Sequence, residues 1–246
     1  MSSELKPLRI AAVADLHCTK NSRGALQPLF AEISHSADVV LLCGDLTDYG
    51  LPEEAHLLAE DLKNHLTIPV LAVLGNHDFE SGHATDVGNI LAEAGVRMLD
   101  GESCEIGGIG FAGVCGFGGG FGRLMLSAWG EPLIKTFVQE AVEQAMKLER
   151  ALARLNTPKR VALLHYSPIA DTVEGEPHEI FPFLGSTRLE GPLNRFNVEV
   201  AFHGHAHNGQ PQGKTSAGVP VYNVSLPVLR KSQPNHPGFR LLELAA

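Results

Sequence analysis

The first third of the chain alternates short apolar runs with segments of helical periodicity. The apolar runs are strand length and predict buried strands at residues 8–14, 38–43 and 68–74. The segments that follow them carry apolar side chains on one helical face, which predicts helices over 24–36, 52–66 and 85–94. Strands that alternate with helices favour a parallel sheet with crossover helices.

The middle of the chain has a different pattern. Short strand-like runs separated by Asp-Gly and Gly-Gly pairs predict hairpins, at residues 96–99, 103–106 and 109–114. A glycine-rich loop at 116–122 precedes a long amphipathic pattern that predicts a helix over 132–155. The remaining predictions are strands at 161–164, 198–202, 219–224 and 239–244, a short helix at 188–195 and an acidic loop at 171–182.

Length and composition favour one large α/β domain over residues 1–246, since 44% of the residues are hydrophobic. The net charge of −9 argues against binding of long nucleic acids. A small phosphate substrate stays compatible with this charge, because bound divalent ions reverse the local field. The cysteines form no Cys-x-x-Cys pair, and neither a secretory signal nor a membrane-length apolar run is visible. We therefore expect a cytoplasmic protein that does not enter a membrane.

Polar, metal-ligating side chains follow the ends of several predicted strands. Strands that end at one edge of a sheet would bring these side chains together. Oxygen and nitrogen ligands without a thiolate suit Mn, Fe or Zn, and two such ions side by side hydrolyse phosphate esters. A carboxylate such as Asp45 can bridge two ions. The candidate ligands are Asp15, His17, Asp45, Asn76, His165 and a pair from the run His203-Gly204-His205-Ala206-His207.

Spacing suggests how some of these ligands act. Asp15 and His17 are two residues apart, and on an extended segment both would face the same ion. The histidine run contains two His-x-His pairs, and spacing alone leaves both open: His203 with His205, or His205 with His207.

His77 is predicted to be catalytic rather than a ligand. It is adjacent to Asn76, and neighbouring side chains on an extended chain diverge, so His77 would face the substrate. There it would protonate the leaving alkoxide or stabilise charge on the phosphoryl group. We expect the carboxylate of Asp78 to hold the imidazole in the required tautomer.

Together these segments resemble the motifs of the calcineurin-like metallophosphoesterases, D-x-H, GD, GNH[DE], H and GHxH. The motifs occur here in that order over residues 15–207. The resemblance implies a four-layer α/β sandwich, in which two stacked mixed β-sheets are flanked by α-helices. It also implies two divalent metal ions and a metal-bound hydroxide that attacks phosphorus in line.

The resemblance further implies which residues bind each ion, and it selects the second histidine pair. The first ion would be bound by Asp15, His17, Asp45 and His207. The second would be bound by Asp45, Asn76, His165 and His205. His203 would then not be a ligand.

Departures from other branches of the family narrow the expected activity. Tyr49 stands where protein Ser/Thr phosphatases carry the arginine that grips phosphate, and Asp48 stands where purple acid phosphatases carry a tyrosine ligand. The GDLTDxG and GNHD forms are similar to class III cyclic nucleotide and glycerophosphodiester phosphodiesterases.

We expect a metal-dependent phosphoric ester hydrolase, most simply a phosphodiesterase on a small substrate. The alternatives are a phosphomonoesterase, a nucleotide pyrophosphatase or a catalytically silent binding scaffold. The glycine-rich loop at 116–122 fits either a mobile substrate lid or a long turn.

Overall fold

The computed structural model of the protein describes residues 6–232, 234, 236 and 238–245. Its strands and helices are numbered here in chain order. They are β1 (Leu8–Val13), α1 (Gln27–Ser36), β2 (Val39–Cys43), α2 (Pro52–His65), β3 (Val70–Val73), α3 (Asn76–Phe79), α4 (Ala84–Glu93), β4 (Val96–Met98), β5 (Glu102–Ile106), β6 (Ile109–Val114), α5 (Pro132–Ala153), β7 (Lys159–Leu164), α6 (Phe181–Leu184), α7 (Glu190–Arg195), β8 (Val200–His203), β9 (Gln212–Lys214), β10 (Pro220–Asn223), α8 (Leu226–Ser232) and β11 (Arg240–Leu244).

The first sheet contains the parallel strands predicted from the alternating pattern. Its order within the described residues is β11–β1–β2–β3–β4, and every neighbouring pair is parallel except β11 with β1. The helices α1, α2 and α4 lie in the connections between consecutive parallel strands. This arrangement brings the carboxyl ends of β1, β2 and β3 to one edge, which is where the first three motifs occur.

The second sheet has the order β5–β6–β7–β8–β10–β9 in the part of the chain that the structure describes. Here β6, β7, β8 and β10 are parallel, and β5 and β9 are antiparallel edge strands. The fold is thus two mixed sheets flanked by helices, as the resemblance implies.

The predicted hairpin at residues 96–99 is wrong. The strand β4 pairs in parallel with β3, whereas β5 and β6 do form a hairpin. The reason lies in the turn between β4 and β5, whose residues bond to different sheets. The Leu99 amide donates to the Ala72 carbonyl of the first sheet, and the Gly101 amide donates to the Gly113 carbonyl of the second.

Apolar side chains on both faces of the second sheet explain its continuous apolar runs. Phe111 and Leu163 point into the core between the sheets. The alternate positions Ala112 and Leu164 belong to a second core, where they meet Leu152 and other buried side chains of α5. Burial on both faces fixes the register of these strands, and therefore where their ends lie.

Several short elements were not predicted. The helix α8 and the strand β9 lie in segments without a clear periodic pattern, and α6 overlaps the end of the predicted acidic loop. The GNHD segment, expected to be extended, forms the one-turn helix α3. Among the described residues, no helix is both long enough and apolar enough to span a membrane.

Candidate metal centre

The candidate ligands follow strands of both sheets and meet where the two sheets face each other. The first sheet supplies Asp15 and His17 after β1, Asp45 after β2 and Asn76 after β3. The second sheet supplies one ligand after β7 and two after β8, namely His165, His205 and His207. The side chains form three overlapping groups whose nitrogen and oxygen atoms lie within 4.8 Å of one another: Asp15, His17 and His207; His17, Asp45 and His77; and Asp45, His165 and His205.

The backbone turns sharply at the candidate ligands. Five non-glycine residues in the described chain have positive φ, and four of them are Asp15 (59°), His17 (44°), Asp45 (50°) and His205 (70°). This left-handed conformation is costly for residues with a Cβ and is concentrated at functional sites. The expectation that Asp15 and His17 lie on an extended segment is therefore wrong, because both residues are left-handed, although their ligand atoms do lie within 4.8 Å of each other.

The glycines of two motifs are required by close contact between loops. A Cβ added to Gly75 would lie 2.3 Å from Asp45 Oδ1, and one added to Gly204 would lie 2.4 Å from Asp15 Oδ2. Each glycine thus lets a loop pass directly over a buried carboxylate. This contact explains why glycine precedes the ligand in GNH and GHxH.

Asp15 is almost completely buried between loops of the two sheets. Its carboxylate accepts from the His205 backbone amide at 3.0 Å, and His207 Nε2 lies 3.0 Å from Oδ1. Burial raises the pKa of Asp15, but the contact with His207 and the other nearby imidazoles lower it below the usual value overall. The carboxylate is therefore available as an anionic ligand.

His165 presents a bare nitrogen to two oxygens. Its Nδ1 lies 3.0 Å from the Cys43 carbonyl, which can only accept, so Nδ1 carries the proton of the neutral ring. Its Nε2 then has a lone pair, and it lies 2.9 Å from Asn76 Oδ1 and 3.3 Å from Asp45 Oδ1. The three atoms, His165 Nε2, Asn76 Oδ1 and Asp45 Oδ1, are all acceptors, and a group of acceptors without a donor is suited to bind a cation.

His17 also has a nitrogen that is suited to bind a cation. Its Nδ1 lies 3.1 Å from Asp48 Oδ1, and its buried Nε2 has no hydrogen-bond partner among the described residues. That Nε2 lies 3.9 Å from Asp45 Oδ2. A buried nitrogen without a partner is costly unless something coordinates it, so these residues fit a bound metal ion.

His205 and His203 differ in what surrounds them. His205 Nε2 donates to the Phe183 carbonyl at 3.1 Å, which leaves Nδ1 as its free nitrogen. Burial and the nearby His165 lower the pKa of His205 to about 4, so the ring is neutral. His203 lies in none of the groups described above, and its ring contacts Thr172 Oγ1 at 2.8 Å.

His77 lies beside the candidate ligands, and one of its ring nitrogens is occupied by a hydrogen bond. Its backbone amide donates to Asp45 Oδ1 at 2.9 Å, and its Nδ1 donates to the Asp48 carbonyl at 2.6 Å. Burial lowers the pKa of His77, but the Asp48 carbonyl and the carboxylates of Asp45, Glu80 and Asp48 outweigh it, and the pKa is raised overall. The Nε2 atom is therefore the one that can hold a transferable proton.

Asp78 does not orient His77, and that prediction is wrong. The buried Asp78 carboxylate accepts from the Gly75 amide at 2.8 Å and from the amide and hydroxyl of Thr47 at 2.8 and 2.6 Å. As the third residue of α3, it caps its own helix and ties that helix to the Asp45 loop.

Asp48 orients the imidazoles instead, with its carboxylate at His17 and its carbonyl at His77. Its sequence signal was a second aspartate in the ligand loop.

A sequence profile of the calcineurin-like phosphoesterases matches residues 8–209. The chain belongs to this family. Its members are metal-dependent hydrolases of phosphoric esters, and the clustered histidines and aspartates of this chain are placed so that they could hold the metal. No curated protein sequence matches the chain.

Solved structures share the fold of this phosphoesterase at low sequence identity. The phosphopantetheinyl hydrolase of Mycobacterium tuberculosis superposes with a TM-score of 0.68 and 16% identity, over 97% of this chain and 96% of that chain. The protein TT1561 of Thermus thermophilus gives 0.54 and 16% over 96% and 99%. GAP50, the anchor in the inner membrane complex of Plasmodium, gives 0.55 and 10% over 91% and 73%. These similarities concern the fold.

Two cavities open beside the candidate metal centre of this phosphoesterase. One of about 490 Å³ is lined by aromatic and aliphatic side chains and reaches Asn76 and His205 at one end. The other, of about 430 Å³, also reaches Asn76 but includes Glu140 and Lys147 in its wall. The lining that both cavities share is Asn76, Phe117 and Tyr166. The two cavities therefore meet at the candidate ligand Asn76.

Proposed function

We propose that the protein is a phosphodiesterase that acts on a small substrate with two divalent ions, chosen from Mn, Fe and Zn. The observation that carries this proposal is the orientation of Asp45. Its Oδ1 lies 3.3 Å from His165 Nε2, and its Oδ2 lies 3.9 Å from His17 Nε2. Each carboxylate oxygen thus faces a different group of ligands, as a carboxylate that bridges two ions does.

In this proposal each ion has its own ligands. Asp45 would bridge the ions. Asp15, His17 and His207 would hold the first ion, and Asn76, His165 and His205 would hold the second. When bound, such ions polarise phosphoryl oxygens and lower the pKa of water, which supplies a nucleophile at neutral pH.

The chain itself supplies proton transfer and orientation. The Asp48 carbonyl keeps the proton on His77 Nδ1, so His77 Nε2 is the nitrogen left to protonate the leaving alkoxide. A raised pKa keeps His77 protonated closer to neutral pH, which suits a general acid. The Asp48 carboxylate fixes the His17 ring, and the Cys43 carbonyl fixes His165.

A diester suits the two cavities that meet at Asn76. A phosphodiester carries two ester groups, and each could occupy one cavity while phosphorus lies at the ions. The GDLTDxG and GNHD forms, which are similar to the class III phosphodiesterases, also support a diesterase in this proposal.

The test is hydrolysis of bis(p-nitrophenyl) phosphate by metal-stripped protein, with and without added Mn²⁺, and with Fe²⁺ or Zn²⁺ in its place. We expect metal-dependent turnover and two metal ions per chain by elemental analysis. The same assay with p-nitrophenyl phosphate and a nucleotide pyrophosphate ester compares the alternative activities. A rate constant that is higher for the monoester or the pyrophosphate would contradict the diesterase proposal.

A catalytically silent scaffold is the alternative from another functional class. GAP50 has this fold and is named as an anchor. Stoichiometric metal binding without turnover of any of the three substrates would favour a scaffold over a hydrolase.

We also propose that residues 1–246 form one domain, because β11 near the end of the chain pairs with β1 near its start. The cytoplasmic location stays a prediction.

A further inference from the structure

We propose that the larger cavity binds an unbranched hydrocarbon or acyl substituent, so that the substrates are phosphate esters bearing such a chain. This inference rests on the proposed function and specifies its substrate class. The cavity is called the aromatic cavity below and is defined by Phe117, Phe137, Tyr166, Ile180, Phe183 and Leu184.

Aromatic rings form a continuous wall along this cavity. The ring of Phe117 lies 4.8 Å from that of Phe137 and 5.8 Å from that of Tyr166, between ring centres. The ring of Phe137 lies 5.9 Å from that of Phe183. Among the described residues that line it, only Asn76 and His205, both candidate ligands, and the Tyr166 hydroxyl bring polar side-chain groups. The wall offers apolar contact and little that would compensate a buried charge.

The wall is built onto the metal centre itself. Tyr166 directly follows His165, and its ring centre lies 4.5 Å from that of His205. The Phe183 carbonyl accepts the proton of His205 Nε2 at 3.1 Å. A phosphoryl group held at the ligands therefore has one ester substituent directed along this wall.

Hydrogen bonds hold the wall in place. The Gly119 amide donates to the Pro182 carbonyl at 2.6 Å, and the Gly120 amide donates to the Gly185 carbonyl at 2.9 Å. The Ser167 amide donates to the Leu184 carbonyl at 3.0 Å. Of the two options for the glycine-rich loop, these bonds favour a fixed turn over a mobile lid. The cavity is thus preformed, as binding sites for small molecules are.

The mouth of the cavity leaves large apolar surface in water. Phe183 is 58% exposed and Ile180 is 39% exposed, although both are large hydrophobic side chains. Grouped exposed apolar side chains beside a reaction site indicate a ligand surface. The second cavity differs, because Lys147 within it is paired with Asp100 at 2.8 Å and gives that cavity a polar wall. The hydrocarbon chain is therefore assigned to the aromatic cavity and the other ester group to the second.

The experiment compares methyl, butyl and octyl diesters of p-nitrophenyl phosphate with the Mn²⁺-loaded full chain. Burial of each methylene should raise kcat/KM by up to about fourfold until the cavity is full. Equal kcat/KM for the three esters would overturn the proposal. Loss of turnover for all three would instead refute the proposed function, and the outcomes are therefore distinguishable.

Variants locate the effect. In Phe183→Ala and Phe137→Leu the ratio of octyl to methyl kcat/KM should fall by about tenfold, since part of the apolar wall is removed. Met146→Ala is the matched control, because Met146 is an exposed apolar residue of α5 that does not line the cavity. An unchanged ratio in both wall variants, with their melting temperatures close to wild type, would overturn the assignment.

A binding measurement keeps the proposal testable without turnover. Calorimetric titration with octyl phosphate and methyl phosphate should show tighter binding of the octyl compound, and this difference should shrink in Phe183→Ala. Equal affinities would overturn the proposal. The octyl diester is also supplied either free or in phosphatidylcholine vesicles, and the two rates of hydrolysis are compared. A higher rate with the free ester indicates a soluble ester as the source of the chain, and a higher rate with the vesicles indicates a membrane lipid.

Discussion

The two sheets contribute differently to the candidate metal centre. Loops of the first sheet carry both candidate carboxylates and the amide oxygen of Asn76, with His17 as their one candidate imidazole ligand. Loops of the second sheet carry imidazoles alone, at His165, His205 and His207. Each carboxylate faces the other sheet, since Asp15 lies 3.0 Å from His207 Nε2 and Asp45 lies 3.3 Å from His165 Nε2.

This difference shows that the candidate centre lies at the boundary between the two sheets, which is called the seam below. Neither sheet alone holds a complete set of ligands for either proposed ion. Bound ions would therefore join the sheets as well as catalyse, and their removal should cost both activity and stability. The following predictions test the seam, from the largest expected effect to the smallest.

Asp45→Ala should have the largest effect, because it removes the proposed bridge. We expect loss of both ions and a fall of kcat on bis(p-nitrophenyl) phosphate by about a thousandfold or more. Elemental analysis and steady-state kinetics measure the two quantities. Asp171→Ala is the matched control, since Asp171 is an exposed aspartate outside the ligand groups. Undiminished metal content in Asp45→Ala would exclude the bridging role.

His77→Ala should lower kcat by about a hundredfold on an alkyl diester with a poor leaving group, because a general acid is lost. The effect should be much smaller with p-nitrophenolate, which leaves without a proton. Metal content should stay the same, since His77 is not assigned as a ligand. Full activity on the alkyl diester would refute the proton-donor role.

His165→Ala and His207→Ala compare the stability that the buried and the exposed parts of the seam contribute. In the metal-free protein we expect His165→Ala to lower the free energy of unfolding by about 3 kcal/mol, because it leaves a cavity and an unpaired Cys43 carbonyl. His207→Ala should cost about 1 kcal/mol or less, since its side chain is 39% exposed. Urea denaturation measures both, and equal losses would contradict this division.

Gly204→Ala should lower the free energy of unfolding by about 1–3 kcal/mol, because the new methyl group would overlap Asp15 where the sheets meet. Gly191→Ala is the matched control, as no described atom lies within 4 Å of a Cβ there. Metal affinity should fall in the first variant and stay unchanged in the second. A Gly204→Ala protein with normal stability and metal affinity would show that the loops separate at little cost.

An ion pair away from the seam should matter least. Asp38 accepts from the Arg9 guanidinium at 2.8 Å, and this contact lowers the pKa of Asp38 to about 2. Because the folded pKa lies below the unfolded value, the pair stabilises above about pH 4, and the effect is lost as the pH falls toward 2. Asp38→Asn should shift Tm at pH 7 by no more than about 2–4 °C, and less at pH 2.5. A shift that grows as the pH falls would contradict this sign.

The sequence predicted the regular elements well wherever burial imposed a period. The apolar runs before Asp15, Asp45 and His165 became strands within a residue or two of their predicted ends, and the long helix ends at Ala153 instead of 155. The strand β4 was assigned to the wrong partner, because the choice between two stacked sheets depends on contacts remote in the chain. Short elements such as α8 and β9 were missed, since they are too short to show a period.

For the site, the sequence suggested the candidate ligands and its family resemblance implied the histidine register, and both stay predictions. The sequence contained a signal for the Asp48 carboxylate, which is a second aspartate in the ligand loop, but none for the backbone carbonyls of Asp48 and Phe183 that contact imidazoles. Carbonyls exist at every residue, so no side-chain pattern marks those that orient a ligand. Asp78 was misassigned because its position next to His77 suggested a contact between the two side chains, whereas its carboxylate caps its own helix.

The sequence by itself determined the chemistry available to this protein: which residues can bind metal, and the order in which strands deliver them. The tertiary structure alone decided that the loops turn through left-handed residues, that the two sheets share the candidate ligands and that an aromatic cavity opens beside them. The physical reason is that residue type sets which atoms can bind, whereas distances between loops arise from packing of the two sheets around their common core.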